Sequence, residues 1–171
     1  MLFFISRIFL IFFLLTNNSY TIEKKSFKKG KYQDWEVYAK ADKDICYTIA
    51  KPIKMEGKYN LRGRVDVVVA LNNNIKKKFY VGFDFGYSFA DKEKVKLTID
   101  DEVVFKLDTF AQTAWINSAE NPNLDLKIIE AMKKGKKLVA EGISKRGTET
   151  KDHYSLLGFT QAFKKVKDAC N

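Results

Sequence analysis

Phe79-Tyr80-Val81-Gly82-Phe83-Asp84-Phe85-Gly86-Tyr87-Ser88-Phe89 alternates bulky apolar with small or polar residues over eleven positions. Period two is the spacing of a strand with one buried face, because successive side chains leave a strand on opposite sides. Phe79, Val81, Phe83 and Phe85 fall on one face; Tyr80, Gly82, Asp84 and Gly86 fall on the other. Two glycines on one face predict a bulge or the close approach of another backbone. The phenylalanines, with Phe110, read as core rather than as a cofactor site. Tyr80 and Tyr87 read as outer-face aromatics available to a partner.

Working outward, the same alternation recurs. Trp35, Val37 and Ala39 oppose Glu36, Tyr38 and Lys40. Cys46 to Ala50 is a second strand ended by Pro52, and the β-branched run Arg64 to Leu71 stops at Asn72-Asn73-Asn74. Val95, Leu97 and Ile99 lead into the hairpin turn Asp100-Asp101, Val103 to Leu107 returns, and Thr113 to Asn117 carries Trp115. The texture changes after Asn121-Pro122. Leu124, Ile128, Ile129 and Met132 recur at helical spacing up to Gly135, a helix stop. Lys137 to Ser144 and Thr148 to Leu156 are further strands, and Phe159, Ala162, Phe163, Val166 and Cys170 mark one face of a final helix. Strands and helices do not alternate, which excludes a parallel βαβ sheet. The expected fold is mainly β: an antiparallel sandwich covered by two short helices, the last one C-terminal.

Ile8 to Leu15 is an unbroken apolar run with Arg7 before it and Thr16-Asn17-Asn18-Ser19 after it. This is the pattern of an export signal. The run falls short of the about 20 residues a spanning helix needs. An uncleaved anchor and a buried helix are the alternatives. Residues 1–19 are read as the signal, 20–33 as a flexible lead-in and 34–171 as one domain. The expected location is periplasmic or secreted. Cys46 and Cys170, the only cysteines, would then meet an oxidising compartment, where a lone pair defaults to a disulfide. A redox pair normally uses C-x-x-C, which is absent, and intermolecular pairing is the other alternative.

The formal charge is +10. Arg7, Arg62, Arg64 and Arg146 are the only arginines, so 27 of the 31 basic residues are lysine. Base and phosphate readout favours the bidentate arginine fork, so no nucleic acid is expected. A solvated lysine-rich surface is the bland reading, and contact with an anionic surface the sharp one. The densest stretches are Lys24 to Lys31, Lys76-Lys77-Lys78 and Lys133 to Lys137. His153 is the only histidine, which excludes a multi-histidine metal site. Asp152, His153 and Ser155 resemble a triad on paper, but neighbours on a strand face opposite ways and cannot orient one another. No nucleophile elbow, phosphate loop or zinc helix motif occurs. Neither catalytic residues, metal nor cofactor are expected, and the chain is read as a non-enzyme.

A connected C-terminal pattern remains. It comprises Ala131-Met132-Lys133-Lys134-Gly135, Ile143-Ser144-Lys145-Arg146-Gly147-Thr148, Asp152-His153-Tyr154-Ser155-Leu156-Leu157-Gly158-Phe159, Ala162 and Cys170. Asp34-Trp35-Glu36-Val37-Tyr38, Cys46-Tyr47 and Trp115 lie upstream. From Trp35 to Cys170 this resembles the invasion-associated locus B family of alphaproteobacteria. His153 departs from the small polar residue expected there. The resemblance implies an immunoglobulin-like sandwich, exported, in a family named for host-cell entry, and it brings no catalytic residues. It agrees with a structural bridge between Cys46 and Cys170.

Arg146-Gly147-Thr148 reads as a turn, with Gly147 permitting positive φ and Arg146 pairing with Asp152 across the hairpin. This is either a structural clasp or a partner contact. The leading expectation is an extracytoplasmic interaction protein offering a basic surface to a protein or envelope partner. The alternative is an envelope-maintenance or chaperone-like factor using strand edges and aromatics.

Overall fold

The computed structural model describes residues 25–75, 78–116 and 120–171. The expected signal segment lies outside them, as do Lys24, Lys76, Lys77 and Asn117. The strands are β1 (Ser26–Tyr32), β2 (Trp35–Lys40), β3 (Ile45–Ala50), β4 (Lys54–Gly57), β5 (Asp66–Asn72) and β6 (Lys78–Asp84). β7 (Lys94–Ile99), β8 (Val103–Phe110), β9 (Thr113–Trp115), β10 (Lys137–Ile143) and β11 (Glu149–Ser155) complete them. Helix α1 spans Leu124–Lys134 and α2 spans Phe159–Ala169. The fold is mainly β, antiparallel, with the last helix C-terminal, as expected.

All the described strands join one sheet in the order β1-β2-β3-β5-β6-β9-β8-β7-β10-β11-β4. That sheet is folded over. Adjacent strands lie about 4.8 Å apart, so β6 and β11, five steps apart in this order, would be about 24 Å apart if the sheet were flat. Instead the rings of Phe83 on β6 and Tyr154 on β11 sit 6.0 Å apart. The Trp35 indole N–H on β2 donates to the Ser155 carbonyl at the end of β11 at 3.0 Å. The two layers of the sandwich are therefore the two halves of one continuous sheet.

The core follows the alternation read from sequence, except that Phe110, expected within it, stands 80% exposed at the end of β8. Trp35, Val37, Ala39, Val67, Val69, Val81, Phe83, Leu97, Leu138 and Ala140 are buried between layers or beneath the helices. Helix α2 lays Phe159, Ala162, Phe163 and Val166 on β1, β2, β3 and β5, with Phe159 4.7 Å from Trp35 and Phe163 5.1 Å from Phe79. Its last turn is stapled to β3 by the Cys46–Cys170 disulfide, with Cα atoms 5.7 Å apart. Asp100 and Asp101 both take positive φ, 50° and 64°, the backbone of a type I′ hairpin turn.

Three expectations are corrected. Ser26–Tyr32 is not flexible lead-in: it pairs with β2. Its lysines hide it, because an edge strand takes its hydrogen bonds from one neighbour and needs no continuous apolar face. The short edge strand β4 was missed for the same reason; it pairs only with β11. The long alternating run ends as a strand at Asp84, not Phe89. At Gly86 the backbone turns with φ +64°, and a Cβ there would come within 2.7 Å of the Gly63 backbone. This is the close backbone approach that its glycine predicted. At Gly82 the neighbour is instead the Trp115 ring, which covers the bare backbone.

A basic cleft as candidate functional site

The turn at Gly86 brings the 58–64 segment against the end of β6, where the Gly63 N–H donates to the Gly86 carbonyl at 2.9 Å. That docking carries Arg62 inside. Its side chain is 3% exposed, and Asp152 beside it is 1% exposed. Nη1 and Nη2 of Arg62 donate to the two Asp152 carboxylate oxygens at 2.7 Å each. Nε and Nη2 also donate to the Phe85 carbonyl, at 3.1 and 2.8 Å. The guanidinium carbon lies 5.1 Å from the ring centroids of both Tyr59 and Tyr87. Burial works against the charge, but Asp152 outweighs it and keeps the guanidinium ionised. A buried carboxylate thus meets a planar fork matched to it.

The Tyr87 hydroxyl is 2.7 Å from Thr150 Oγ1, and burial pushes its pKa up to about 12. It stays a neutral hydrogen-bonding group. Phe85, Tyr87 and Phe89 pack on one another with centroids 5.1–5.7 Å apart. Their mutual packing accounts for period two persisting past the end of the strand.

Above this floor lies a cleft of about 650 Å³ between the 58–62 segment, Tyr87-Ser88 and the β10–β11 hairpin. Lys58, Lys145 and Arg146 line it, with Ser88, Ser144 and Thr148, and among the described residues no carboxylate does. The hairpin is stiffened locally. Gly147 has φ +79°, its N–H donates to the Ser144 carbonyl, and the Thr148 N–H donates to Ser144 Oγ. The Lys145 N–H donates to the Ser88 carbonyl at 2.7 Å, tying the hairpin across the cleft.

The structure brings Arg146, Gly147, Thr148 and Tyr87 to this one place but separates Arg146 from Asp152. The expected Arg146–Asp152 pair is corrected: Asp152 faces inward to Arg62, and Arg146 is exposed at the rim. Arg62 and Tyr59 went unread because a lone arginine in a loop carries no periodic signal. Asp152 inside a run of strand alternation was the available clue, since a buried acid needs a partner. Tyr87 is turned into the cleft rather than to the outer face. Tyr80 does lie on the outer face of β6, half-buried, with the Lys78 ammonium 5.3 Å from its ring centroid. His153 points away from Asp152 and meets Glu56 at 2.8 Å, so the paper triad is not assembled. Of the lysine stretches, Lys28, Lys29 and Lys31 lie on the β1 edge, and Lys133 to Lys137 span the end of α1 and the start of β10.

These features define a disulfide-stapled antiparallel β domain with two covering helices and a basic cleft at the strand ends away from the staple. The invasion associated locus B (IalB) family matches residues 35–167, and the chain belongs to that family. The crystal structure of invasion associated protein b from Bartonella henselae has the same fold, with a TM-score of 0.61 at 16% identity. The match covers 84% of this chain and 97% of that one. No curated protein sequence matches the chain.

Proposed function

We propose that this protein is exported and acts outside the cytoplasm as a non-enzymatic interaction protein, with the basic cleft as its contact surface. The observation that carries this reading is the gathering of Lys58, Lys145 and Arg146 around a cleft that no described carboxylate lines. Charges scattered for solubility alone would not be expected to segregate in this way. The disulfide fits an oxidising compartment. The family name and that of the Bartonella henselae protein suggest association with host cells as the setting. Strand-edge capture is disfavoured, because Lys28, Lys29 and Lys31 blunt the β1 edge.

The test follows the purified protein onto intact host cells and onto isolated bacterial envelopes. Attachment should fall as salt is raised, since exposed charges are screened. It should also be lost when Lys58, Lys145 and Arg146 are all changed to Gln. Attachment that survives the triple change, or recovery of the native protein from the cytoplasm with free thiols, would overturn the reading.

A further inference from the structure

We propose that the cleft is a binding site for a saccharide bearing a phosphate or sulfate ester. This names the ligand class of the contact surface above and rests on that reading. The recognition chemistry has two parts. The charged part is Lys58, Lys145 and Arg146, with no carboxylate among the described residues that line the cleft. Arg62 is already saturated by Asp152 and Phe85, so the floor beneath them is a neutral ion pair. It leaves the rim cations unbalanced without competing for the anion. Arg146 supplies the fork that binds such a group through two parallel hydrogen bonds.

The neutral part is rich in hydroxyl and amide groups. Tyr59, Asn60, Ser88 and Thr148 line the same cleft, and they match a ligand that is itself covered in hydroxyls. A cleft of about 650 Å³ is of the size that encloses a small ligand rather than a peptide strand or a duplex. Its apolar contribution comes from the rings of Tyr59 and Tyr87 and from Leu61, which stands at the lip, 90% exposed. A long polyanion such as a duplex would find no continuous track beyond these three cations.

The experiment is isothermal titration of the purified full chain with four probes. These are a heparin-derived tetrasaccharide, a hexose phosphate, a neutral dextran-derived tetrasaccharide and inorganic sulfate. The sulfated or the phosphorylated sugar should bind at least about tenfold tighter than the neutral sugar and than sulfate, a difference of about 1.4 kcal/mol. The preferred ester distinguishes a sulfated source from a phosphorylated one. Arg146→Gln should weaken that binding at least about fivefold, and Arg146→Lys should weaken it less, since the charge remains but the fork is lost. Lys164→Gln, on the exposed face of α2, removes the same charge far from the cleft and should leave binding unchanged.

Equal binding of the neutral sugar or of inorganic sulfate would overturn the proposal, as would equal losses in Arg146→Gln and Lys164→Gln or binding of none of the probes. Should those results coincide with cell attachment that still depends on the three cations, the contact surface stands and only its ligand class falls. Loss of both removes the cleft from consideration altogether.

Discussion

Across β1, β2, β3 and β5 the molecule is covered by an apolar helix whose end is tied to Cys46 by a disulfide; at the Ala50 end of β3, β5 and β6 it is closed by a buried arginine and aspartate. The first closure buries Phe159, Ala162, Phe163 and Val166 and adds the Cys46–Cys170 bond. Apolar burial is non-directional, so it stabilises the layers without dictating fine geometry. The second closure removes two charges from water, an arrangement whose desolvation cost often cancels its attraction. What it delivers is direction. The guanidinium plane fixes Asp152, the Phe85 carbonyl, Tyr59 and Tyr87 relative to one another. The helix and its staple contribute non-directional stability, and the ionic closure, where the cleft lies, contributes defined shape.

The largest effect should come from removing the staple. The bridge closes a span of 124 residues, worth at most about 4–5 kcal/mol in the chain-entropy view. Cys46→Ser with Cys170→Ser should lower the urea midpoint by a corresponding amount. Hydrogen exchange should rise most in α2 and least in β10 and β11. A uniform rise across the sheet would show that the staple does not act locally.

Next in size is Arg62→Ala. It leaves the Asp152 carboxylate buried and unpaired, a loss of about 3–5 kcal/mol. Replacing both partners, Arg62→Met with Asp152→Leu, should recover most of that stability while the resonances of Tyr59 and Tyr87 broaden or shift. A loss below about 1 kcal/mol for Arg62→Ala would contradict a closure that depends on the pair.

The smallest effect tests a surface contrast to both closures. Glu141 on β10 bridges Lys151 and Lys96 on the strands either side, at 2.7 and 3.0 Å. Hydrogen bonds from Lys151 and then Lys96 hold its carboxyl below the usual range. A lowered folded-state pKa gives stability that is present above the unfolded value of about 4.3 and lost as pH falls through the folded value. Glu141→Gln should therefore cost under about 1 kcal/mol at neutral pH. Thermal unfolding should show the difference shrinking as the pH falls below the unfolded value and closing once it passes below the folded one. A difference that grew as the pH fell would reverse the sign and sink this account.

The core was legible where burial is one-sided. Trp35, Val37 and Ala39, then Val95, Leu97 and Ile99, announce themselves through period two, and the two helices through periods near 3.6. Edge strands were not legible. In Ser26–Tyr32 only backbone pairing to β2 makes the strand, and backbone groups are the same in every sequence. Half of the site was legible: Arg146-Gly147-Thr148 was read as a turn, and Asp152 as the partner of an arginine. The partner itself was misassigned to Arg146, because proximity in sequence outweighed a contact ninety positions away.

The sequence alone determined that this is an antiparallel β protein with a C-terminal helix, and it supplied the two cysteines that close it. Those are local facts, written in periodicity and composition. Only the tertiary structure decided that one sheet folds over to make both layers, that Arg62 rather than Arg146 meets Asp152, and that three cations share one cleft. Each of these depends on where distant segments cross, and loop closure between distant positions leaves no period in the chain.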